Sequence, residues 1–406
     1  MGSSSTPLGR ASGIHAGILL AAALGLGCAS APRQQPEPGG GGGTDAPADP
    51  DCAIQEIVRS DGLRMWSPNG DRYILNKKDE KGTYQLYVGK SGGGEPRCIT
   101  CTERPNGPAI DRHKLQPRWL PSGEWIVLAG EREKYEKPII ATSKMIEGWI
   151  QSGLWVNIYL TRPDGSEWHR LSDFGGSQKG DGFTGPAFTP DGKRAVWAQI
   201  VDGNIFANLF GRWELILADF QTGSGGAPSF TNLRDITPEG AKWVEPGNFS
   251  PDGKSLLITA DVGMKDPQGM DQFILDIETG SLINLNNSPK IWDEHGVFSP
   301  DGEKILFMSS YPFRDSALRH NTLFLKTEFM LMNKDGSGLS QLTHFNSPGY
   351  PETNTRPGSV AANGDWHPDG RSMSVINLFF PDYEAWTITF KGPCGGDGRR
   401  GAEISP

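Results

Sequence analysis

The 406-residue chain is 36% hydrophobic and carries a formal net charge of −9. Its acidic and basic residues are interspersed, which describes a solvated surface and argues against nucleic acid or an anionic lipid surface as partner. No His-Glu-x-x-His zinc-hydrolase spacing occurs.

Residues 1–27 read as a secretory signal. Arg10 is the only charge there, and Ile14–Gly27 is small and apolar, too short for a membrane-spanning helix. The stretch ends in Leu26-Gly27-Cys28-Ala29, close to a lipobox, so Cys28 is the expected lipidation site. Ala29 after it favours the outer membrane over the inner, by analogy with lipoprotein sorting. Residues 28–52 follow as a Gly/Pro-rich tether, including five consecutive glycines at Gly39–Gly43. Such a segment cannot bury a core. Removing 1–27 leaves 38 basic against 48 acidic residues, a formal −10.

From residue 53 to 394 one motif recurs six times. The copies are Trp66-Ser-Pro-Asn-Gly70, Trp119-Leu-Pro-Ser-Gly123, Phe188-Thr-Pro-Asp-Gly192, Phe249-Ser-Pro-Asp-Gly253, Phe298-Ser-Pro-Asp-Gly302 and Trp366-His-Pro-Asp-Gly370. Each has an aromatic entering and an apolar strand leaving. Asp-Gly is a hairpin signal whose two central positions are expected at positive φ. The glycines are 53, 69, 61, 49 and 68 residues apart, somewhat more than the usual propeller-blade period, so the excess falls in loops. A second hairpin follows in five repeats, as in Asn157-Ile-Tyr-Leu leading to Arg170-Leu-Ser. Four strands per repeat and six repeats predict an all-β chain: a six-bladed propeller of four-stranded antiparallel blades.

The aromatic-[Ser/Thr]-Pro-Asp-Gly core and the later Asp-Gly-Ser…Leu-Thr resemble the TolB-type (WD-like) propeller repeat family. The resemblance covers about 53–391 and is specific for fold. It implies an envelope scaffold that binds proteins. Relatives in the family also include propellers attached to peptidases and oligogalacturonate-lyase-like enzymes. The separate N-terminal α/β domain of TolB has no counterpart here, since a tether stands in its place.

The sixth repeat has only three strands before Gly392-Pro-Cys394, and the stretch 395–406 reads as a disordered tail. The missing strand is expected from Ala53–Arg59, closing the ring and covering its open edge. That placement puts Cys52 beside Cys394 and predicts a clasping disulfide, as expected for an exported protein. Cys98 and Cys101, ending the fourth strand of the first repeat, are expected to form a second.

The Pro-Asp-Gly turns and the short later turns share one face of a propeller. The long, varied loops share the other, the usual place for a binding surface. They carry Trp149, Tyr311, Phe313 and Arg314, types enriched at interfaces, and these are the expected partner-binding residues. Polar residues entering the first strand of each blade, Glu245, Glu294, His295, His113 and Asp181, are expected around the funnel. Glu245 and Glu294 each stand four residues before their blade aromatic, so both are expected to face the channel with His295 beside them. Two carboxylates and an imidazole can bind a cation or do acid–base work.

The lyase-like relatives use a histidine cluster on a divalent metal. His113, His295 and His367 stand at three different registers and do not form one. No catalytic residue, metal or cofactor is assigned on this basis. The reading is a periplasmic, lipid-anchored propeller that binds envelope proteins, touches the membrane through its anchor alone and offers the funnel to a small ligand or cation. The alternative is a carbohydrate-active propeller enzyme using the funnel and a divalent metal.

Overall fold

The computed structural model describes residues 49–396 apart from 136–141, 179, 203–210, 223–226, 266–268, 317–324, 354–357 and 380–381. Cys28, the signal, most of the tether and nearly all of the tail lie outside the described residues.

Twenty-four strands form six antiparallel sheets of four. The first strands of the repeats are Arg64–Trp66, Lys114–Trp119, Phe183–Phe188, Val244–Phe249, Asp293–Phe298 and Val360–Trp366. Each touches its counterparts in both neighbouring blades, and the sixth touches the first. The sheets therefore close into a six-bladed β-propeller with these strands innermost. Between successive sheets lie buried apolar side chains such as Ile126, Leu128, Leu257 and Phe307.

In four of the six blades one hydroxyl ties the repeated turn together, while Leu120 and His367 close the same turn without one, their carbonyls accepting from Gly123 and Gly370 at 2.8 and 2.9 Å. Ser67, Thr189, Ser250 and Ser299 each accept a hydrogen bond from the N–H that opens the next strand, at 3.0 Å. In three blades the same hydroxyl donates to the turn aspartate (Asp191, Asp252 or Asp301) at 2.6 Å. Those aspartates also accept the N–H of Lys193, Lys254 and Glu303. The turn glycines bond back to the Ser or Thr carbonyl at 2.7–2.8 Å. Of the two central positions expected at positive φ, only the glycine takes it (77° at Gly302). The aspartate keeps negative φ because the turn, closed from the Gly302 N–H to the Ser299 carbonyl, has Pro300 and Asp301 at its centre and the glycine fourth.

The second marker has a parallel explanation. Thr100, Ser172, Thr237, Asn286 and Thr343 each accept the backbone N–H of a residue in the preceding strand, at 2.8–2.9 Å. The short outer strand is held there by a side chain where the ladder runs out.

Closure follows the expected route. Ile54–Ser60 pairs antiparallel with Asp382–Phe390 as the outermost strand of the sixth blade. Cys52 and Cys394 are disulfide-bonded across 342 positions, and Cys98 with Cys101. Past Cys394 the chain crosses the turns of two blades: Gly395 donates to the Gly370 carbonyl at 2.9 Å and accepts from Asp301 at 3.0 Å. The Pro-Asp-Gly turns also touch in series. Gly123 faces Pro68, Gly253 faces Pro190, Gly302 faces Pro251 and Gly70 faces Pro368, whereas Gly370 faces Gly395 and Gly396. Gly192 alone among the six turn glycines faces nothing within 4 Å.

The loop after the second blade's second strand holds a helix, Ser143–Gln151, capped by Thr142, which accepts from the Met145 N–H at 3.3 Å. Among the described residues no helix is long and apolar enough to cross a membrane.

Candidate functional site

The innermost strands surround a central cavity of about 200 Å³, lined from five blades. Near its blade aromatic, each of these five strands slips register against its neighbour, as between Glu294 and Val297. At the bulge, Gln116, Gly185 and His295 take φ of 48°, 63° and 56°. In a regular strand Glu294 and His295 would point to opposite faces. The left-handed turn at His295 brings both side chains to the same place, as bulges beside functional sites do.

The result is a triad. His295 Nδ1 lies 3.2 Å from Glu245 Oε2, and His295 Nε2 lies 3.6 Å from Glu294 Oε2. Trp292 Nε1 donates to the same Glu294 oxygen at 2.8 Å, and Thr184 donates to Glu245 at 3.1 Å. Burial by itself would lower the His295 pKa, but the two carboxylates overcome it and push it up to about 9. Burial raises Glu294 to about 7 against the pull of His295. Burial acts on Glu245 the same way, yet His295, Thr184 and Arg118 together hold it below the usual carboxylate range. The imidazole and Glu294 thus hold a proton more readily than their free counterparts, and Glu245 less readily.

Ligand atoms of Glu245, Glu294 and His295 lie within 4.8 Å of one another, close enough to hold a metal ion. The imidazolium already occupies the space between the carboxylates and neutralises them, so a cation would have to displace its protons. The arrangement fits an ion triad better than a set of metal ligands.

Two further charges face the cavity. Asp365 accepts the Trp66 N–H at 2.9 Å, and burial lifts its pKa to about 6 against the nearby Arg118. Arg118 uses Nη1 on the Pro117 carbonyl at 3.2 Å and the Met65 sulfur at 3.5 Å, and has no ion-pair partner among the described residues. Asp365 and Glu245 act on it through space only.

The remaining expected funnel residues are not part of this assembly. His113 accepts the Tyr84 N–H at 3.1 Å between the first and second blades. Asp181 pairs with Arg132 at 3.4 Å, with its side chain 56% exposed. Neither lines the cavity. Both stand ahead of their strands, Lys114–Trp119 and Phe183–Phe188, and so take no part in the bulge that turns His295 inward.

The expected partner-binding aromatics also divide. Trp149 is 3% exposed and packs edge-to-face on Trp155 at 5.7 Å. Its helix is amphipathic, and the indole is the side that holds the loop to the blade. Tyr311 and Phe313 are half-buried in a single 3-10 turn, with the exposed Arg314 over the Tyr311 ring at 4.4 Å. Tyr350, on the loop leading into the sixth blade, and Tyr383, at the loop end of the strand Asp382–Phe390, are exposed. Tyr383 was not singled out from the sequence, and neither was Arg118, which stands directly before its blade aromatic. Gly89-Lys-Ser91-Gly-Gly93 matches a nucleophile-elbow spacing, but it forms a hairpin turn in which Ser91 N–H bonds the Asp71 carbonyl.

No family model matches the chain, and no curated protein does. Solved structures of similar shape include TolB from Acinetobacter baumannii, 16% identical, covering 80% of this chain and 65% of that one with a TM-score of 0.46. A putative TolB from Agrobacterium tumefaciens is 17% identical over 70% and 81%, with a TM-score of 0.47. An oligogalacturonate lyase in complex with manganese is 11% identical over 85% and 95%, also at 0.47. The chain spans just under two thirds of the Acinetobacter protein. At these values the likeness is one of general shape and assigns no function.

Proposed function

We propose that this propeller is a periplasmic scaffold, lipid-anchored through Cys28 at the outer membrane, that binds envelope proteins on its loop-rich face. The observation that carries the reading is that Tyr311, Phe313, Arg314 and Tyr350 stand on loops of the fifth and sixth blades on that face, with Tyr383 at the loop end of Asp382–Phe390 beside them in chain order. Aromatic and Arg side chains presented together suit protein contacts. The tether enters at Cys52, on the turn side of the sixth blade. The loop face therefore points away from the anchored end.

Loss of one aromatic anchor typically costs about 2 kcal/mol, roughly thirty-fold in affinity. Crosslinking in intact cells with Tyr311→Ala and Phe313→Ala variants should lose the partner adducts that the parent forms, without a lower melting temperature. Charge reversals on the Pro-Asp-Gly turns should keep them. The opposite pattern would overturn the choice of face.

A second reading, an enzyme working in the channel on a carbohydrate with a divalent metal, draws on the Glu245–His295–Glu294 triad. Two carboxyls held at different protonation states are the usual equipment for acid–base chemistry. Metal-dependent turnover of acidic oligosaccharides, abolished by Glu294→Gln, would support it.

A further inference from the structure

Among the described residues, Arg118 and Asp365 face the central cavity without a counter-ion in contact, and of the two Arg118 keeps donors that no protein group takes up. His295 is satisfied by Glu245 and Glu294, and Asp365 by the Trp66 N–H. Of the five guanidinium N–H donors, only Nη1 has protein partners, a carbonyl and a thioether. No protein hydrogen bond to Nε or Nη2 is present among the described residues, and Arg118 lines a cavity of about 200 Å³ whose other walls include Trp119, Pro186, Phe188, Asn248 and Asn363. A desolvated guanidinium with a free fork is matched by a planar anion with two oxygens. The walls add apolar surface and the Asn363 amide, Asn248 being engaged with the Phe298 backbone, which suits an organic acid better than a bare inorganic ion.

We propose that the central channel is a carboxylate-binding site in which the free fork of Arg118 is the primary donor. The carboxylate belongs either to a free small organic acid or to the end of a peptide chain threaded into the channel. The inference is independent of the partner-binding reading of the loop face, because a small acid needs no protein partner to enter.

The charges around the cavity fix the sign of its pH dependence. Arg118 comes from the second blade, Glu245 from the fourth, His295 from the fifth and Asp365 from the sixth, with the buried Glu294 against His295. Glu294 and Asp365 take up protons near pH 7 and 6, while Arg118 and His295 stay positive. Lowering the pH from about 8 to about 5.5 therefore makes the cavity more positive, and a carboxylate binds more tightly. A metal ion would do the reverse.

The test is calorimetric titration of the full chain with succinate, with a tripeptide bearing a free C-terminal carboxylate, and with the same tripeptide amidated. Binding of succinate or the free-acid peptide that tightens at the lower pH is expected. Arg118→Gln should weaken it about 10- to 100-fold, the scale of a charge-assisted hydrogen-bond pair. Asp365→Asn should strengthen it, which guards against a loss caused merely by misfolding. Preference for succinate identifies a small-acid site, and preference for the free-acid over the amidated peptide identifies a chain-end site. The proposal is overturned if neither probe binds, if Arg118→Gln binds as well as the parent, or if the channel instead takes Mn²⁺ more tightly as pH rises.

Discussion

Replacing Asp293 by asparagine should remove a proton-binding site from the interior and change how stability follows pH. Ser288 Oγ lies 2.7 Å from both Asp271 Oδ1 and Asp293 Oδ2, yet a hydroxyl carries a single proton. One carboxyl must therefore donate. Asp271 already accepts the Ser288 N–H at 3.1 Å and the Asn284 amide at 2.7 Å, so the donor lies on the other side. Asp293 is the protonated one and hands its proton to Ser288. Burial, with Asp271 beside it, raises the Asp293 pKa from 3.8 to about 7, while Ser309 and Ser288 oppose the rise. The folded state thus holds a proton that the unfolded chain has already lost. The stability tied to that proton is full below about pH 3.8, falls as pH rises and is gone above about 7. A shift of about 3 units corresponds to about 4 kcal/mol. The substituted amide stays neutral and can donate to Ser288 at every pH. Urea unfolding between about pH 4 and 8 should show Asp293→Asn gaining about 4 kcal/mol relative to the parent across that range. Parallel curves for the two proteins would refute the proton assignment.

Cys28→Ala should move the protein from the membrane pellet to the soluble fraction on cell fractionation, and an unchanged distribution would remove the lipid anchor from the proposal. Cys394→Ser opens a loop spanning 342 positions. In the chain-entropy picture that costs roughly 5–6 kcal/mol, which chemical denaturation would read as a lower midpoint. Deleting Ile54–Ser60 should leave the sixth blade with an open edge and cause aggregation, so a stable monomeric product would count against closure by that strand. Ser299→Ala removes a 2%-exposed hydroxyl that bonds Asp301 and Lys304, and should cost about 1–3 kcal/mol. Equal stability would mean that the turn holds without the hydroxyl.

The blade architecture was legible because each turn is a local chemical unit. A hydroxyl, a proline, a carboxylate and a glycine must occupy adjacent positions for the hydrogen bonds of Ser299, Asp301 and Gly302 to form. The channel was legible only where a residue sat at the bulge. Glu245, Glu294 and His295 were expected together and do meet, whereas His113 and Asp181 were expected with them and do not. Nothing in the local sequence says where a strand will slip register, and one residue of slip reverses which way a side chain points. Arg118 escaped notice for the same reason. Trp149 was misjudged because an aromatic in a long insertion reads alike whether it faces solvent or anchors its own helix. The hydrophobic face of Ser143–Gln151 becomes meaningful only once a blade lies beneath it.

The series of turn contacts on the short-turn face behaves mechanically as a hoop. At four junctions a proline bears on the neighbouring blade's glycine, and at the junction of the fifth and sixth blades Gly395 and Gly396 are wedged in its place. At the junction of the second and third blades no such bearing exists, because Gly192 faces open space. Pro121 and Phe188, at that same seam, form part of the channel wall. The hoop is therefore split at one joint, like a spring clip. The split is confined to the turn face, because at the loop end the same seam is tied by Phe183 N–H to the Gly153 carbonyl at 2.9 Å and by Trp155 N–H to the Asp181 carbonyl at 2.7 Å; the joint can hinge at its turns without parting.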